Sequence, residues 1–314
     1  MQKIDIASMF GAHDVSTFLG VPACKSPDEI KAKAAILGVP CATPYSSVGP
    51  YCKDAPAAIR TAAAAYAANL QHMDFDFRAP LLPGGPTDVC DLGDLPYGAD
   101  NAANRDAIRK TVSTILDRGA VPIILGGDDS IPIPMLQAFE GRGKYTIVQI
   151  DAHIDWRDDV GGERWGLSST MRRASEMAHI ERIIQVGARN IGSARPQDHE
   201  DALAWGVQFF TARDIATTGL QPVIDAVPTG SNVIICFDCD GLDPSIMPAV
   251  IGRAPGGLDY WQASGLMQAI SDKATISAFD LVELMPDQDV DGLGALTAYR
   301  MVATVLGLVA RQKA

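Results

Sequence analysis

The sequence predicts an α/β protein, a three-layer αβα sandwich built around a mostly parallel sheet. Three observations carry this expectation. Short apolar runs rich in β-branched residues alternate with helical stretches along the whole chain, the pattern of buried parallel strands joined by crossover helices. Four of those runs stop at acidic residues, and strand ends are where open α/β sheets place their chemistry. A length of 314 residues with 47% hydrophobic content gives ample core, and no linker or repeat divides it.

Residues 1–33 are irregular, punctuated by Gly11, Gly20, Pro22 and Pro27, and are expected to form an N-terminal arm on the surface or at subunit contacts. A single domain is expected over 34–314, opening with a strand at 34–40 that Pro40 closes. After a long loop, the alanine-rich stretch 57–70 predicts a helix, with Asp54 as its cap and Pro56 in the first turn. A short strand at 89–92 ends at Gly93-Asp94, and 101–118 has helical periodicity. The strand at 121–125 runs into Gly126-Gly127-Asp128-Asp129-Ser130, where two glycines permit a tight turn and Asp129 emerges. The strand at 145–150 leads into Asp151-Ala152-His153-Ile154-Asp155. Beyond it, helices are expected at 168–178, 198–205, 223–227 and 260–270, and strands at 183–186, 207–210, 232–237 and 276–284. The apolar stretch 292–310 contains Arg300 and reads as a buried terminal helix, not a membrane span.

The net charge of -12, with no basic stretch to offset phosphate repulsion, argues against nucleic acid and membrane surfaces as partners. Asp5, His13 and Asp14 interrupt any signal-peptide pattern, and six scattered cysteines in a chain this size need no disulfides, which suits the cytoplasm. Cys236 and Cys239 form a C-x-x-C inside an apolar strand pattern with no second pair, favouring a structural role over zinc or redox use.

In an extended stretch alternate residues share a side, so Asp151, His153 and Asp155 are expected to converge. Polar groups crowded at a strand end need neutralising, and a divalent cation is the simplest partner. The same pentapeptide by itself also reads as a solvated strand end followed by an acidic loop. Asp129, Asp238, Asp240 and Glu283 stand at other strand ends, which share one edge of a parallel sheet. Five aspartates and one histidine supply ligands for two cations, bridged by carboxylates at about 3.5–4 Å.

Gly-Gly-Asp-Asp-Ser at 126–130, Asp-Ala-His-Ile-Asp at 151–155 and Phe-Asp-Cys-Asp-Gly-Leu-Asp-Pro at 237–244 resemble the three metal motifs of the ureohydrolase family, which includes arginase, agmatinase and guanidino-acid hydrolases. Gly38-Val39-Pro40, Gly256-Gly257-Leu258 and Asp280-Leu281-Val282-Glu283 extend the similarity over residues 34–310. The resemblance implies an arginase-like fold and cleavage of a C–N bond of a guanidino compound by a hydroxide held between two metal ions, manganese or nickel. It implies that Asp129, Asp151, Asp155 and Asp238 surround one ion, while His153, Asp151, Asp238 and Asp240 surround the other. Asp155 and Glu283 would be catalytic, Glu283 receiving the substrate guanidinium, and Asp280 would join them in support of the site. A small guanidino substrate and a homo-oligomer or hetero-oligomer with a homologous subunit, a hexamer, are implied as partners.

Three positions depart from the family pattern. Asp129 stands where the family usually has histidine, which makes the first site all-carboxylate and moves its preference towards hard cations. Trp165 stands where agmatinases carry a histidine, and indole cannot deliver a proton to a leaving amine. Ile251-Gly252-Arg253 replaces Gly-Thr-Pro, and Arg253 either sets a positive charge against the acids or is a solvated loop residue. These departures leave two readings. One is an active hydrolase of a divergent branch in which another group delivers the proton. The other is a silent subunit, with metals partly or wholly absent, that assembles with an active relative as in metformin hydrolase, to whose branch the segment 166–174 is similar. The loops 44–52 and 192–198 are expected to read the part of the substrate beyond its guanidinium group.

Overall fold

A computed structural model describes residues 9–10, 14–42 and 45–312. Its strands are β1 Ala34–Val39, β2 Met73–Asp74, β3 Ala79–Pro80, β4 Val89–Asp94, β5 Val121–Gly126, β6 Tyr145–Ile150, β7 Ile180–Val186, β8 Gln208–Phe210, β9 Asn232–Asp238 and β10 Thr275–Val282. Its helices are α1 Ala55–Ala64, α2 Asn101–Asp117, α3 Pro132–Gln137, α4 Thr170–Ser175, α5 Pro196–Trp205, α6 Ala212–Thr218, α7 Gln221–Ala226, α8 Tyr260–Lys273 and α9 Leu293–Arg311. Eight strands form one sheet in the order β4-β1-β5-β10-β9-β6-β7-β8, and every pairing in it is parallel. The remaining two, β2 and β3, make a small antiparallel hairpin.

The three-layer architecture arises from the two-residue period of the strands. Ile36 of β1 joins one apolar core with α1, α7, α8 and α9, while its neighbours Ala35 and Leu37 join the other with α2, α3, α4 and α5. Strands β1 and β6 are buried at every residue, which is why they read as continuous apolar runs. Helix α9 is long and apolar enough to cross a membrane, but most of it is buried within the protein against α1 and α8. The register sets the site. Val282 pairs with Asp238, Leu281 with Leu125 and Ile150 with Phe237, so the carboxyl ends of β5, β10, β9 and β6 finish level with one another.

The sequence reading differs in several short elements. The helix expected over 57–70 spans Ala55–Ala64 and is followed by a separate 3-10 turn, Ala67–Asn69. The β2–β3 hairpin, α3 and α6 were not expected, although α6 carries a capping box between Thr211 and Asp214. Within the expected arm, residues 1–8 and 11–13 lie outside the described residues. Among its described residues Phe18 is fully buried, its N–H donates to Asp91 at 2.9 Å, and the Cys24 N–H donates to the Asp91 carbonyl at 2.8 Å.

Candidate active site

A cavity of about 260 Å³ opens at the level strand ends, and Asp129, His153, Asp155, Asp238, Asp240 and Glu283 all line it. The convergence has a different local cause from the one the sequence suggested. The strand stops at Ile150, so alternation along an extended chain does not aim Asp151 and His153. Instead the Asp151 carboxylate accepts the His153 N–H at 2.6 Å, folding the backbone back on itself. The same two-residue turn recurs where Asp238 accepts the Asp240 N–H at 2.7 Å and where Asp128 accepts the Ser130 N–H at 3.1 Å. Asp155 and Glu283 reach the cavity with left-handed backbones, φ 44° and 65°. Such conformations cost non-glycine residues about 1–3 kcal/mol and persist only where the surroundings impose them. The glycines before Asp128 serve closeness as well as turning: a Cβ on Gly127 would lie 2.0 Å from the Pro40 carbonyl oxygen.

Two groups of ligand atoms lie within 4.8 Å of one another: Asp151, His153 and Asp240 form one, and Asp129, Asp151 and Asp238 the other. Asp151 belongs to both. His153 Nδ1 is 3.1 Å from Asp240 Oδ2 and 3.4 Å from Asp151 Oδ1. Asp155 stands beside these groups, its Oδ2 accepting a hydrogen bond from Gln149 at 2.8 Å.

The electrostatics match a place for cations. Burial, reinforced by neighbouring carboxylates, drives the Asp129, Asp155, Asp238 and Asp240 carboxyls above their ordinary range. Burial also opposes ionisation of Asp151, but hydrogen bonds from His153 and Asp155 prevail and hold it low. Burial disfavours the His153 cation, yet Asp151 and Asp240 push its pKa up to about 12. Without metal, protons must supply the positive charge. Asp129 Oδ2 is buried with no hydrogen-bond partner, a cost that a coordinated cation removes. Carboxylates with one imidazole form a donor set suited to hard or borderline divalent ions, so the residues present fit two of them.

Glu283 is fixed from two sides: its Oε1 accepts the Asp129 N–H at 2.8 Å, and the Tyr51 hydroxyl lies 2.8 and 2.7 Å from its two oxygens. Burial pushes its carboxyl up to about 8. Asp280, expected to act with Asp155 and Glu283, is fully buried in β10 and does not line the cavity. It accepts the Phe237 N–H at 3.3 Å, and so holds β9, whose last residue is Asp238, against β10. It is a positioning residue.

Several contributors escaped the sequence reading. Gln149 Nε2 donates to both Asp151 at 2.6 Å and Asp155 at 2.8 Å, and the Gln185 amide in turn donates to Gln149 Oε1. A polar residue in each of two apolar strands was the available signal. Arg189 ties the backing loops together, donating to the carbonyls of Asp240 at 2.6 Å, Leu242 at 3.2 Å and Ala254 at 2.8 Å. Tyr51 falls in the loop 44–52 expected to read the substrate, but nothing in the sequence marks it as the partner of Glu283.

Of the two other departures, Trp165 does not line the cavity and has Arg105 over its ring at 5.6 Å. Arg253 is exposed and donates to the carbonyls of Pro248 at 2.6 Å and Gln288 at 2.8 Å, so no positive charge from it stands against the acids. Cys236 and Cys239 are buried free thiols, as are the remaining cysteines apart from the half-buried Cys24. Of the loops expected to read the substrate, residue 44 lies outside the described residues, Tyr51 of the first meets Glu283, and Gly192, Ser193 and Asp198 of the second line the cavity.

Residues 32–307 match the Arginase family, and the chain belongs to it. It is an arginase/agmatinase-type ureohydrolase by descent. The guanidinobutyrase of Pseudomonas aeruginosa is 29% identical over 309 residues, 95% of this chain and 94% of its own. The mitochondrial agmatinase of Gallus gallus is 31% identical over 233 residues, 70% of this chain and 67% of its own. Among solved structures, proclavaminate amidino hydrolase from Streptomyces clavuligerus has the same fold, with a TM-score of 0.81 at 24% identity, covering 96% of this chain and 98% of that one. The agmatine ureohydrolase of Thermoplasma volcanium gives 0.77 at 27% identity, covering 97% of each chain.

Proposed function

We propose that this protein is a metal-dependent hydrolase that releases urea from a small guanidino compound. One observation carries the reading: two ligand groups meet at Asp151 in the same cavity that presents Glu283. Asp129, Asp151, Asp155 and Asp238 would hold one divalent ion, manganese or nickel, and Asp151, His153, Asp238 and Asp240 the other. Such ions supply a water ionised near neutral pH. Glu283 binds the guanidinium as a planar anion, and because a phenol has a single proton, Tyr51 leaves most of its lone pairs free. Water adds its oxygen to the guanidinium carbon, the bond to the substituted nitrogen breaks, and the products are urea and an amine. Asp155, a buried acid on the cavity wall, would pass a proton to that leaving nitrogen, exchanging its place on the ion for the proton at the oxygen Gln149 does not hold. That is the role Trp165, outside the cavity, does not fill.

The test is metal analysis beside urea release from agmatine, 4-guanidinobutyrate, guanidine and metformin after loading with manganese or nickel. Two ions per chain with urea from one of these compounds is the expected result. Two bound ions and urea from none overturns it.

A second reading is a silent subunit working beside an active homologue, as in metformin hydrolase. The Tyr51 hydroxyl, within hydrogen-bond distance of both Glu283 oxygens, favours it, since it competes there with a guanidinium. It predicts turnover only when the homologous chain is added. In either reading we propose a cytoplasmic oligomer, a hexamer, of this chain alone or mixed, which sedimentation of the pure and mixed proteins tests.

A further inference from the structure

We infer that Arg189 is a positioning residue for one ion of the proposed pair. Its guanidinium fixes the turn that carries Asp240, and with it the group Asp151, His153 and Asp240, although its own charge opposes a cation there. The inference rests on the reading above and adds a residue to it. Arg189 stands just past the end of β7 and does not line the cavity. Among the described residues no acid is within ion-pair distance of it, and the whole donor fork goes to main-chain carbonyls. Nε donates to Ala254 at 2.8 Å, Nη1 to Gly187 at 3.2 Å and Gly241 at 3.4 Å, and Nη2 to Asp240 at 2.6 Å and Leu242 at 3.2 Å.

The main chain of the same residue holds the facing turn. The Arg189 N–H donates to the Ala152 carbonyl at 3.1 Å, and the Ala152 N–H donates to Asp240 Oδ1 at 3.0 Å. His153 Nδ1 lies 3.1 Å from the other oxygen of that carboxylate. One residue therefore sets the Asp240 turn against the turn that carries Asp151 and His153. The space for the guanidinium is shaped to it: a Cβ on Gly257 would lie 2.7 Å from Nη2. No hydrogen bond from Arg189 reaches Asp129 or Asp238, the members of the other ligand group that it does not share.

Charge and position make opposite predictions. Burial holds the Arg189 pKa below its ordinary value, although Asp240, Asp151, Asp243 and Asp238 favour the charge. A cation entering beside Asp240 meets that like charge, so by electrostatics alone removing Arg189 would tighten its binding. Removing the clamp instead frees the Asp240 turn, and outer partners that orient a ligand are worth about 10–100-fold in metal affinity. Position prevails here, because carbonyl oxygens surround the guanidinium and their dipoles offset its field at the ion.

We would titrate manganese into the metal-free natural protein, Arg189→Lys and Arg189→Met by calorimetry, with urea release measured alongside. Arg189→Lys keeps the charge and loses the fork, while Arg189→Met loses both. The affinity for one ion is expected to fall at least about tenfold in both variants, while the other stays within about threefold. In the metal-free variants the Ala152 amide should exchange with deuterium about tenfold faster, because the carboxylate it donates to is no longer held. Tighter manganese binding by Arg189→Met would show that charge prevails, and overturns the inference. An equal loss of both ions, the mark of a general loosening, or unchanged binding by Arg189→Lys does the same. If Arg189→Met does not fold, Arg189→Lys decides alone. Selective loss of one ion, with no urea from any compound even in the natural protein, counts against the proposed reaction alone. A natural protein that binds no manganese overturns both.

Discussion

Two acidic clusters belong to the same sheet, and they solve the problem of buried charge in opposite ways. On β4, Asp91 is 1% exposed and is closed by Arg60, whose Nε and Nη2 each lie 2.8 Å from its carboxylate, while Nη1 pairs with Asp94. The Phe18 and Gly93 N–H groups, each at 2.9 Å, complete it. At the ends of β5, β6 and β9, five aspartates crowd together, and among the described residues none pairs with an arginine or lysine. Arg189, the arginine behind them, spends its guanidinium on main-chain carbonyls. The acids alone therefore do not mark the site. What marks it is that no arginine or lysine among the described residues answers these acids and His153 stands against Asp151 and Asp240 alone, which leaves room for an ion.

That contrast makes predictions of opposite sign. Asp238→Asn should lower urea release at least about a thousandfold and reduce bound metal, since it takes a shared ligand from the centre. The same change should raise the melting temperature of the metal-free protein, because one member of a repulsive buried cluster is gone while an amide oxygen can still accept the Asp240 N–H. A lower metal-free melting temperature would mean the cluster is not strained. Arg60→Met should do the reverse, costing about 3–5 kcal/mol in denaturant unfolding because Asp91 is left buried and unpaired. A change near zero would erase the distinction between the clusters.

Gln149→Leu gives a smaller effect. It removes the amide that spans Asp151 and Asp155 and leaves Gln185 only the Ile154 carbonyl to donate to, so metal affinity measured by calorimetry should fall about 10–100-fold. Unchanged affinity would show that the turn at Asp151 aims the carboxylates unaided.

The central strands were legible because they are apolar on both faces and end in turn signals; the predicted 145–150 coincides with β6. Short elements were not. Helix α3 begins on a proline-rich stretch, and α6 and the β2–β3 hairpin have ordinary composition, so packing decides them. Alanine content announced α1 but not its length. The acids of the candidate metal site were legible from their places at strand ends. Their aim was not, since it depends on side-chain turns and on the φ of Asp155 and Glu283. Tyr51 meets Glu283 across 232 positions, a contact no local pattern encodes. Position in a motif also told nothing of direction: Trp165 and Arg253 occupy family positions near the metals, yet both side chains stay out of the cavity.

A third acid sharpens the comparison, because it is satisfied with neither an arginine nor an ion. Asp243, just past the second turn of the site, accepts backbone N–H groups from Ser245 at 3.0 Å, Gly256 at 2.7 Å and Gly257 at 3.2 Å. Burial works against its charge, but those donors hold its carboxyl below the ordinary aspartate range. A depressed carboxyl stabilises the fold above its unfolded pKa of about 3.9, and that contribution is lost as the pH falls through the folded value. Asp243→Asn should therefore be less stable than the natural protein by about 1 kcal/mol between pH 5 and 7, with the gap closing below about pH 4. Denaturant unfolding of the metal-free pair across that range reads it. A gap that persists unchanged into acid would mean the amide fails for reasons of shape, and that the charge on Asp243 contributes nothing to the loop.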